Sequence, residues 1–198
     1  MIRRTVSIVS AGLLAATVFA GTAGATDPPP AATGTVSCRL VGRVTFSTPL
    51  ATGGTTATTA TFVGKANGCT GTDGGATVRS GRVTLSAAMA TNDCAALSSI
   101  SMDGTVAWKT KAGAAAIADT TISVGSLVAD PASLMKPKYS AAGSASAGSF
   151  AVASLTSTMS VSQSITAIGK QCEGARLRSL TVRASQSDLV IGTPAPPA

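Results

Sequence analysis

The sequence predicts an all-β protein, an immunoglobulin-like antiparallel β-sandwich of about seven strands with one short helical turn. Several segments alternate apolar and polar residues, which is the pattern of strands that bury one face. Threonine and valine are frequent in these segments, and β-branched side chains favour a pleated strand. Glycine-rich turns separate the segments at the spacing typical of a sandwich. An up-and-down β-barrel is the alternative that the same pattern allows.

The first 25 residues have the layout of a secretory signal peptide. Arg3 and Arg4 form a basic start, residues 6–19 form an apolar run, and Ala23-Gly24-Ala25 is a triplet of small residues. We expect cleavage after this triplet and a secreted, extracellular or cell-envelope location. The apolar run is too short to span a bilayer stably, and no other stretch approaches about 18 consecutive apolar residues. No integral membrane segment is therefore expected once the signal is removed.

One domain is expected after the signal peptide. Residues 26–34 form a proline-rich leader, because three consecutive prolines cannot join a sheet ladder. Residues 35–192 form the predicted β-sandwich domain, and residues 193–198 form a disordered tail. The 173 residues that follow the signal are enough for one domain with a substantial core.

The first three predicted strands have the clearest alternation. Their inward-facing residues, strand by strand, are Val36, Cys38, Leu40, Gly42, Val44 and Phe46; Ala60, Phe62, Gly64 and Ala66; and Val83, Leu85, Ala87 and Met89. The stretch 92–97 differs, because an Asn-Asp pair can cap a helix and apolar residues then recur at turn spacing. This stretch supplies the predicted short helical turn.

Four further strands are predicted, each with a short row of inward-facing apolar residues. In chain order these rows are Val106 and Trp108; Ile122, Val124 and Val128; Phe150 and Val152, followed after a bulge by Leu155, Met159 and Val161; and Leu180, Val182 and Ala184. The stretch 129–148 is rich in proline, serine, alanine and glycine and is predicted to be a long surface loop. Residues 169–174 are predicted to form a turn.

All four cysteines, Cys38, Cys69, Cys94 and Cys172, lie in the part that is predicted to be exported, which predicts two disulfides. A hairpin of segments 36–47 and 57–68 would put Cys38 almost opposite Cys69, leaving Cys94 with Cys172. The pairing of Cys69 with Cys94 and of Cys38 with Cys172 is nearly as compatible. No metal site is expected, because the chain has neither histidine nor closely spaced cysteine pairs.

Catalytic chemistry has few candidates in this sequence, and we expect neither an enzyme nor a cofactor. Without histidine, the Ser-His-Asp and Cys-His arrangements are excluded. Ser133 lies three residues before Lys136, but the companion motifs of a serine–lysine site are missing. The carboxylates that could act in pairs mostly lie beside turn-forming residues: Asp73, Asp93, Asp103, Asp119, Asp130, Glu173 and Asp188.

Three other features have both a functional and a structural interpretation. Asp73-Gly74-Gly75 is expected to be a hairpin turn, because the acidic ladder of a calcium loop is missing. Trp108, the single tryptophan, is expected in the core rather than as an exposed ligand anchor. The cluster Lys136-Pro137-Lys138-Tyr139 is expected to be a solvated loop rather than a binding site.

The charge is mild and spread along the chain. After the signal, thirteen basic and eight acidic residues give a net charge of +5. Nucleic-acid-binding proteins usually concentrate charge and interleave aromatic rings, which are scarce here, so no nucleic-acid partner is expected. Attraction to an anionic cell wall or membrane surface is the simpler interpretation of the charge.

Part of the chain resembles a group of small secreted actinobacterial proteins with an immunoglobulin-like β-sandwich. The resemblance covers most of residues 36–185 and is carried by Cys38 and Leu40, the stretch Val44 to Leu50, Gly68-Cys69-Thr70-Gly71, Asn92-Asp93-Cys94-Ala95, the stretch Gly104 to Lys109, and Gly148-Ser149-Phe150. It implies export and a β-sandwich, and it supplies no activity.

These observations favour a secreted or cell-envelope module that is not catalytic and that binds a partner or has a structural role. A cell-wall component or an extracellular protein is the expected type of partner. The alternative is a carrier of a small apolar ligand held between the sheets, because many inward-facing positions are occupied by small residues.

Overall fold

The computed structural model describes residues 27–125, 127–130, 137–183 and 187–192. The strands within these ranges are β1 (Val36–Leu50), β2 (Thr58–Gly71), β3 (Val78–Met89), β4 (Met102–Thr110), β5 (Thr120–Val124), β6 (Val128–Ala129), β7 (Lys138–Gly148), β8 (Ser154–Ser160), β9 (Leu177–Val182) and β10 (Asp188–Ile191). The helices are one α-helix, α1 (Ile165–Glu173), and two 3₁₀ helices, Asp73–Thr77 and Cys94–Ser99. The predicted signal peptide 1–25 and tail 193–198 lie outside the described residues.

The strands form one closed antiparallel sheet. From β1 to β5, and then through β7 and β8 to β10, each strand pairs with the next, and β10 pairs with the free edge of β1. β9 pairs with the adjoining length of that same edge, from Gly42 opposite Val182 to Leu50 opposite Leu177. β9 and β10 together therefore act as the eighth strand of an eight-stranded up-and-down β-barrel. The expectation of an immunoglobulin-like sandwich of about seven strands was wrong.

The sandwich was predicted in place of the barrel because two strands, β7 and β10, were not recognised in the sequence. β7 falls in the predicted surface loop 129–148, and it buries only Ala141 and Ala145 on its inner face. β10 adds a pairing that the predicted seven strands lack. With an even number of antiparallel strands, the last strand runs antiparallel to the first and can close the sheet. Alternation shows that one face is buried, but it does not show whether the sheet edges meet.

The inward faces of the first three strands were predicted correctly. Val36, Cys38, Leu40 and Phe46 are buried on β1, and the neighbouring Ser37, Arg39, Thr45 and Ser47 are exposed. The same period of two continues through β2 and β3. The largest fully buried side chains come from strands spread along the chain, namely Phe62, Leu50, Ile122, Leu155, Leu177 and Ile191.

The predicted inward row of the later strands needs three corrections. Val128 is 63% exposed, because it lies on the two-residue strand β6 at the outer margin of β7. Phe150 and Val152 lie in the tight turn between β7 and β8, with φ angles of 60° and 65°, rather than on a strand with a bulge. Phe150 is buried and Val152 is 94% exposed, so the turn itself causes the shift in phase. Ala184 lies outside the described residues.

Glycine allows the sheet to curl tightly around one aromatic ring. Gly42 on β1 is opposite Gly64 on β2, and the ring of Phe62 lies against both. A Cβ atom would lie 2.6 Å from this ring at Gly42 and 2.5 Å from it at Gly64. Because real Cβ contacts are not this short, larger residues at either position would displace Phe62 from the interior.

The end of the barrel that contains Val36 is closed by the leader, and we call it the leader end. Residues 27–34 form no helix or strand, but they are hydrogen-bonded to the barrel. The Ala32 N–H donates to Ser149 Oγ (3.0 Å), and the Ala32 carbonyl accepts from the Phe150 N–H (2.6 Å). Trp108 packs edge to face on Phe150, with ring centroids 5.7 Å apart, and its Nε1–H donates to Thr120 Oγ1 (2.7 Å). Trp108 is therefore partly buried and packed against the core, as predicted, rather than an exposed anchor.

The opposite end, which we call the helical end, carries α1 and the 3₁₀ helix Cys94–Ser99. The predicted helical turn is this 3₁₀ helix, and the Asp93 side chain caps it by accepting from the Ala95 N–H (3.2 Å). The turn predicted at 169–174 is wrong, because α1 extends to Glu173. Ser164 caps α1 by accepting from the Ala167 N–H (3.1 Å), a signal that lies five residues before the predicted turn. Within the described ranges, neither this helix nor any other is long and apolar enough to cross a membrane.

One disulfide stabilises each end of the barrel, and the favoured pairing is confirmed. Cys38–Cys69 joins β1 to β2 near the leader end, with the Cα atoms 4.2 Å apart. Cys94–Cys172 joins the 3₁₀ helix to α1 at the helical end, with the Cα atoms 6.2 Å apart. The predicted register of the first hairpin explains the first bond, since Ser37 is opposite Thr70 and Arg39 is opposite Asn67.

We expect the native protein to have no free thiol and to lose at least about ten degrees of melting temperature when both disulfides are reduced. The sequence separations of 31 and 78 residues correspond to about 3.7 and about 4.5 kcal/mol of lost unfolded-state entropy. Thermal melts of the Cys38→Ser/Cys69→Ser and Cys94→Ser/Cys172→Ser proteins should therefore show the larger loss for the second pair. Equal melting temperatures with and without reductant would contradict this account.

Candidate functional site

The barrel encloses an apolar cavity of about 60 Å³ in the half nearest the helical end. Its inner wall is formed by core residues of the strands, including Leu40, Phe62, Val83 and Ile122. Its outer wall is formed by residues at or beyond the strand ends, namely Leu97, Ile100, Met102, Val124, Leu127, Tyr139, Met159 and Val161. The cavity therefore lies between the barrel core and the elements that cover the helical end.

Four of the outer residues, Leu97, Leu127, Tyr139 and Met159, are only partly buried, and we call them the rim. Leu97 comes from the 3₁₀ helix held by the Cys94–Cys172 disulfide, and Leu127 follows β5. Tyr139 on β7 is directly opposite Met159 on β8. Because leucine and methionine side chains adopt several rotamers, the rim is the part of the wall that can move to admit a ligand.

Two residues with polar side-chain atoms, Ser157 and Tyr139, line this apolar cavity, and their hydroxyls differ in hydrogen bonding. Ser157 donates its hydroxyl to the Asp188 carbonyl (3.1 Å), which satisfies it within the barrel. The Tyr139 hydroxyl has no hydrogen-bond partner among the residues that the structure describes. Tyr139 is therefore the lining residue whose O–H could be donated to a ligand.

Burial raises the pKa of the Tyr139 phenol above its usual value of 10.0. The cause is desolvation, since a half-buried apolar surrounding disfavours the charged phenolate more than the neutral phenol. Tyr139 therefore remains a neutral hydrogen-bond donor throughout the physiological pH range.

The volume of the cavity limits what it can hold without rearrangement. A space of about 60 Å³ is enough for a few water-sized molecules. Organic ligands usually occupy pockets of about 300 Å³ or more. Binding of such a molecule would need outward movement of the rim side chains.

The carboxylates considered for catalysis are scattered over the molecule. Asp73 lies between β2 and β3, Asp93 caps the 3₁₀ helix, Asp103 is on β4, Asp119 precedes β5, Asp130 follows β6, Glu173 ends α1, and Asp188 is on β10. None of them lines the apolar cavity. Among the described residues, no three histidine, cysteine or acidic side chains come together in a way that could hold a metal ion.

Of the remaining candidate site residues from the sequence, some form part of the fold and others lie outside the described residues. Asp73-Gly74-Gly75 begins the 3₁₀ helix that connects β2 to β3, as expected for a hairpin connection. Ser133 and Lys136 lie outside the described residues. Lys138 and Tyr139 belong to β7, so the expectation of a solvated loop was wrong for them.

The cavity was missed because its key residue lies in a segment that was predicted to be a loop. Tyr139 is followed by small residues that hide the alternation of β7, and Ala141 and Ala145 are the buried positions of that strand. The signal that could have revealed it is the pairing of a lone tyrosine with Met159 on the next strand. That pairing appears only when β7 is recognised as a strand.

The chain was compared with family models, curated proteins and solved structures. No family model, curated protein or solved structure matches it. The resemblance to secreted actinobacterial proteins therefore stays a prediction, and the fold and the cavity are the basis of the functional argument.

Proposed function

We propose that the chain is an exported, non-catalytic binding protein that holds a small, largely apolar ligand inside the barrel at the helical end. The observation that carries this proposal is the apolar cavity with its partly buried rim and the free Tyr139 hydroxyl. The sequence suggested, as an alternative, a ligand held between two sheets. In the barrel, the corresponding ligand would lie in the interior.

The closed sheet supports this proposal. β1 pairs along both of its edges, so its backbone groups are satisfied within the wall and its inner face presents side chains. An eight-stranded barrel has an interior that side chains can fill or that can hold one small ligand. Here the half at the leader end is filled by Phe150 and the leader, while the other half retains the cavity.

The lining indicates the class of ligand. Among the described residues, no charged side chain lines the cavity, so an ionised ligand group would lose its hydration without gaining a partner from them. A hydrocarbon or ring skeleton would be favoured by about 25 cal/mol for each Å² of apolar surface that it buries. One carbonyl or ether oxygen on such a skeleton could accept the Tyr139 hydrogen bond.

Export is supported by the two disulfides, because disulfides persist in oxidising compartments. The absence of a catalytic role is supported by the position of the carboxylates, none of which faces the cavity. A structural or partner-binding role at the cell envelope is compatible with the same fold, but it would leave the cavity without a purpose.

The ligand proposal predicts that filling the rim abolishes binding. Titration of the oxidised protein from residue 26 onward with 1-aminoanthracene, an uncharged fluorescent probe, should show saturable binding at one site. Leu97→Trp places a large ring at the rim and should weaken this binding by roughly tenfold or more, because the new side chain occupies the space of the ligand.

The matched control is Val63→Trp, which adds the same ring to an exposed position on the outside of β2. It should leave the affinity unchanged. Failure of the probe to bind the unaltered protein, or an equal loss of affinity in both variants, would refute the proposed site.

A second prediction uses the single tyrosine of the chain as a reporter. Absorbance at the phenolate band should show ionisation of Tyr139 above pH 10, because burial raises its pKa. The unfolded chain loses this proton first, so the tyrosine should lower the stability of the fold as the pH rises beyond 10. A ligand in the cavity should move the ionisation to still higher pH.

Tyr139→Phe provides the control for the hydrogen bond. It should bind a hydrocarbon probe as well as the unaltered protein does, but it should bind a ketone of the same skeleton several-fold more weakly, as expected for one lost hydrogen bond. Tyrosine ionisation at the ordinary value, with no response to ligand, would place the phenol in solvent and remove its proposed role.

A further inference from the structure

The outer face of β1 to β4 carries a line of basic side chains, which we call the basic stripe. Each of the four adjacent strands contributes one exposed residue to it, namely Arg43, Lys65, Arg82 and Lys109. The four residues are far apart in the sequence. They form a stripe because the sheet places their strands side by side.

The strand register gives the spacing of the stripe. Lys65 is directly opposite Arg82. Arg43 is opposite Val63 and therefore diagonal to Lys65, and Arg82 is opposite Ala107 and therefore diagonal to Lys109. Direct pairs lie about 5 Å apart and diagonal pairs about 7–8 Å apart, so the stripe is about 20 Å long at the backbone.

The outer neighbours of the stripe do not neutralise it. The side chains between and beside the four cations include Val41, Val63, Asn67, Ser80, Thr84 and Ala107. The acidic residues nearest in register are Asp103, opposite Ser86, and Asp188, opposite Arg39. Like charges that face each other directly across strands destabilise a sheet, so the Lys65–Arg82 pair has a cost that folding does not explain.

A groove runs along the surface beside three members of the stripe, while Arg43 lies outside its lining. One part, of about 710 Å³, is lined by Lys65, Arg82 and Lys109 over a floor that includes Gly42, Gly64 and Gly81. A second part, of about 580 Å³, shares Asn67, Ser80 and Lys109 with the first and adds Arg79. The two parts form a continuous channel with cations along its walls and amide and hydroxyl groups between them.

We infer that this groove binds an extended anionic polymer that carries phosphate groups. Arginine and lysine are the side chains that contact phosphate, and Asn67 and Ser80 can donate further hydrogen bonds to its oxygens. A single phosphate ion could touch only one or two members of a stripe that is about 20 Å long. A chain of phosphates laid along the groove could contact Lys65, Arg82 and Lys109, and then Arg79.

The groove lacks the features of two other anionic partners. None of the described residues that line it is aromatic, so bases would find no ring on which to stack, which argues against single-stranded nucleic acid. Its apolar side chains among the described residues are Val41 and the 44% exposed Val63, two short side chains between cations rather than the broad apolar face that would enter a bilayer, which argues against a membrane surface. The groove lies on the outer face of the sheet and the cavity on the inner face, so this inference does not depend on the proposed ligand.

The test is calorimetric titration of the oxidised protein from residue 26 onward with long-chain inorganic polyphosphate at about physiological ionic strength. Lys65→Gln/Arg82→Gln should weaken binding by roughly tenfold or more. Lys170→Gln/Arg176→Gln removes the same charge from the exposed surface at the helical end and should change the affinity by less than about twofold. Arg82→Glu, which faces Lys65 with the opposite charge, should fold at least as well as the unaltered protein and should also lose binding.

Three results would overturn the inference. The first is absence of binding to polyphosphate, and the second is an equal loss of affinity in the two glutamine variants, which would show a general charge effect. The third is tighter binding of a single-stranded oligonucleotide or of anionic phospholipid vesicles than of polyphosphate, because it would assign the groove to a different class of partner.

Discussion

The structure depends on the pairing of β1 along both of its edges. One edge of this 15-residue strand pairs with β2, and the other pairs first with β10 and then with β9. This closure removes the free edges of the sheet and forces every second residue of the wall into one enclosed space. The core, the cavity and the outer stripe are therefore consequences of which residues occupy the inner and outer positions of the same strands.

The two faces of the wall have different chemistry because they are occupied by different side chains. Inside, apolar residues and glycines fill the space, with the Phe62 ring packed over Gly42 and Gly64. Outside, the wall is made of threonine and serine with basic residues on β1 to β4. Each end is stabilised by a disulfide, and the apolar cavity lies toward the helical end. The proposed ligand and the inferred polymer therefore use opposite faces of one sheet.

The sequence allowed the local features to be predicted, but not the closure. Alternation from Val36 to Phe46 predicted the inner face of β1, and its register predicted the Cys38–Cys69 bond. β7 was missed because alanine, serine and glycine give no contrast between its faces, and without it the barrel could not be distinguished from a sandwich. The same omission hid Tyr139, since its contact with Met159 depends on pairing between β7 and β8. The stripe was missed for a related reason, because its four residues are adjacent only in the register of the sheet.

The central claim is that the last strand closes the barrel against β1, and nuclear Overhauser spectroscopy of the oxidised protein tests it most directly. The structure predicts cross-strand contacts of Ser37 with Val190 and of Cys38 with Leu189, in addition to those of β1 with β2. It also predicts that the Leu40 amide, which donates to the Ser187 carbonyl at 2.8 Å, exchanges slowly with solvent. Contacts of β1 with β2 alone, together with rapid exchange of the amides in residues 188–191, would show an open sheet and contradict the barrel.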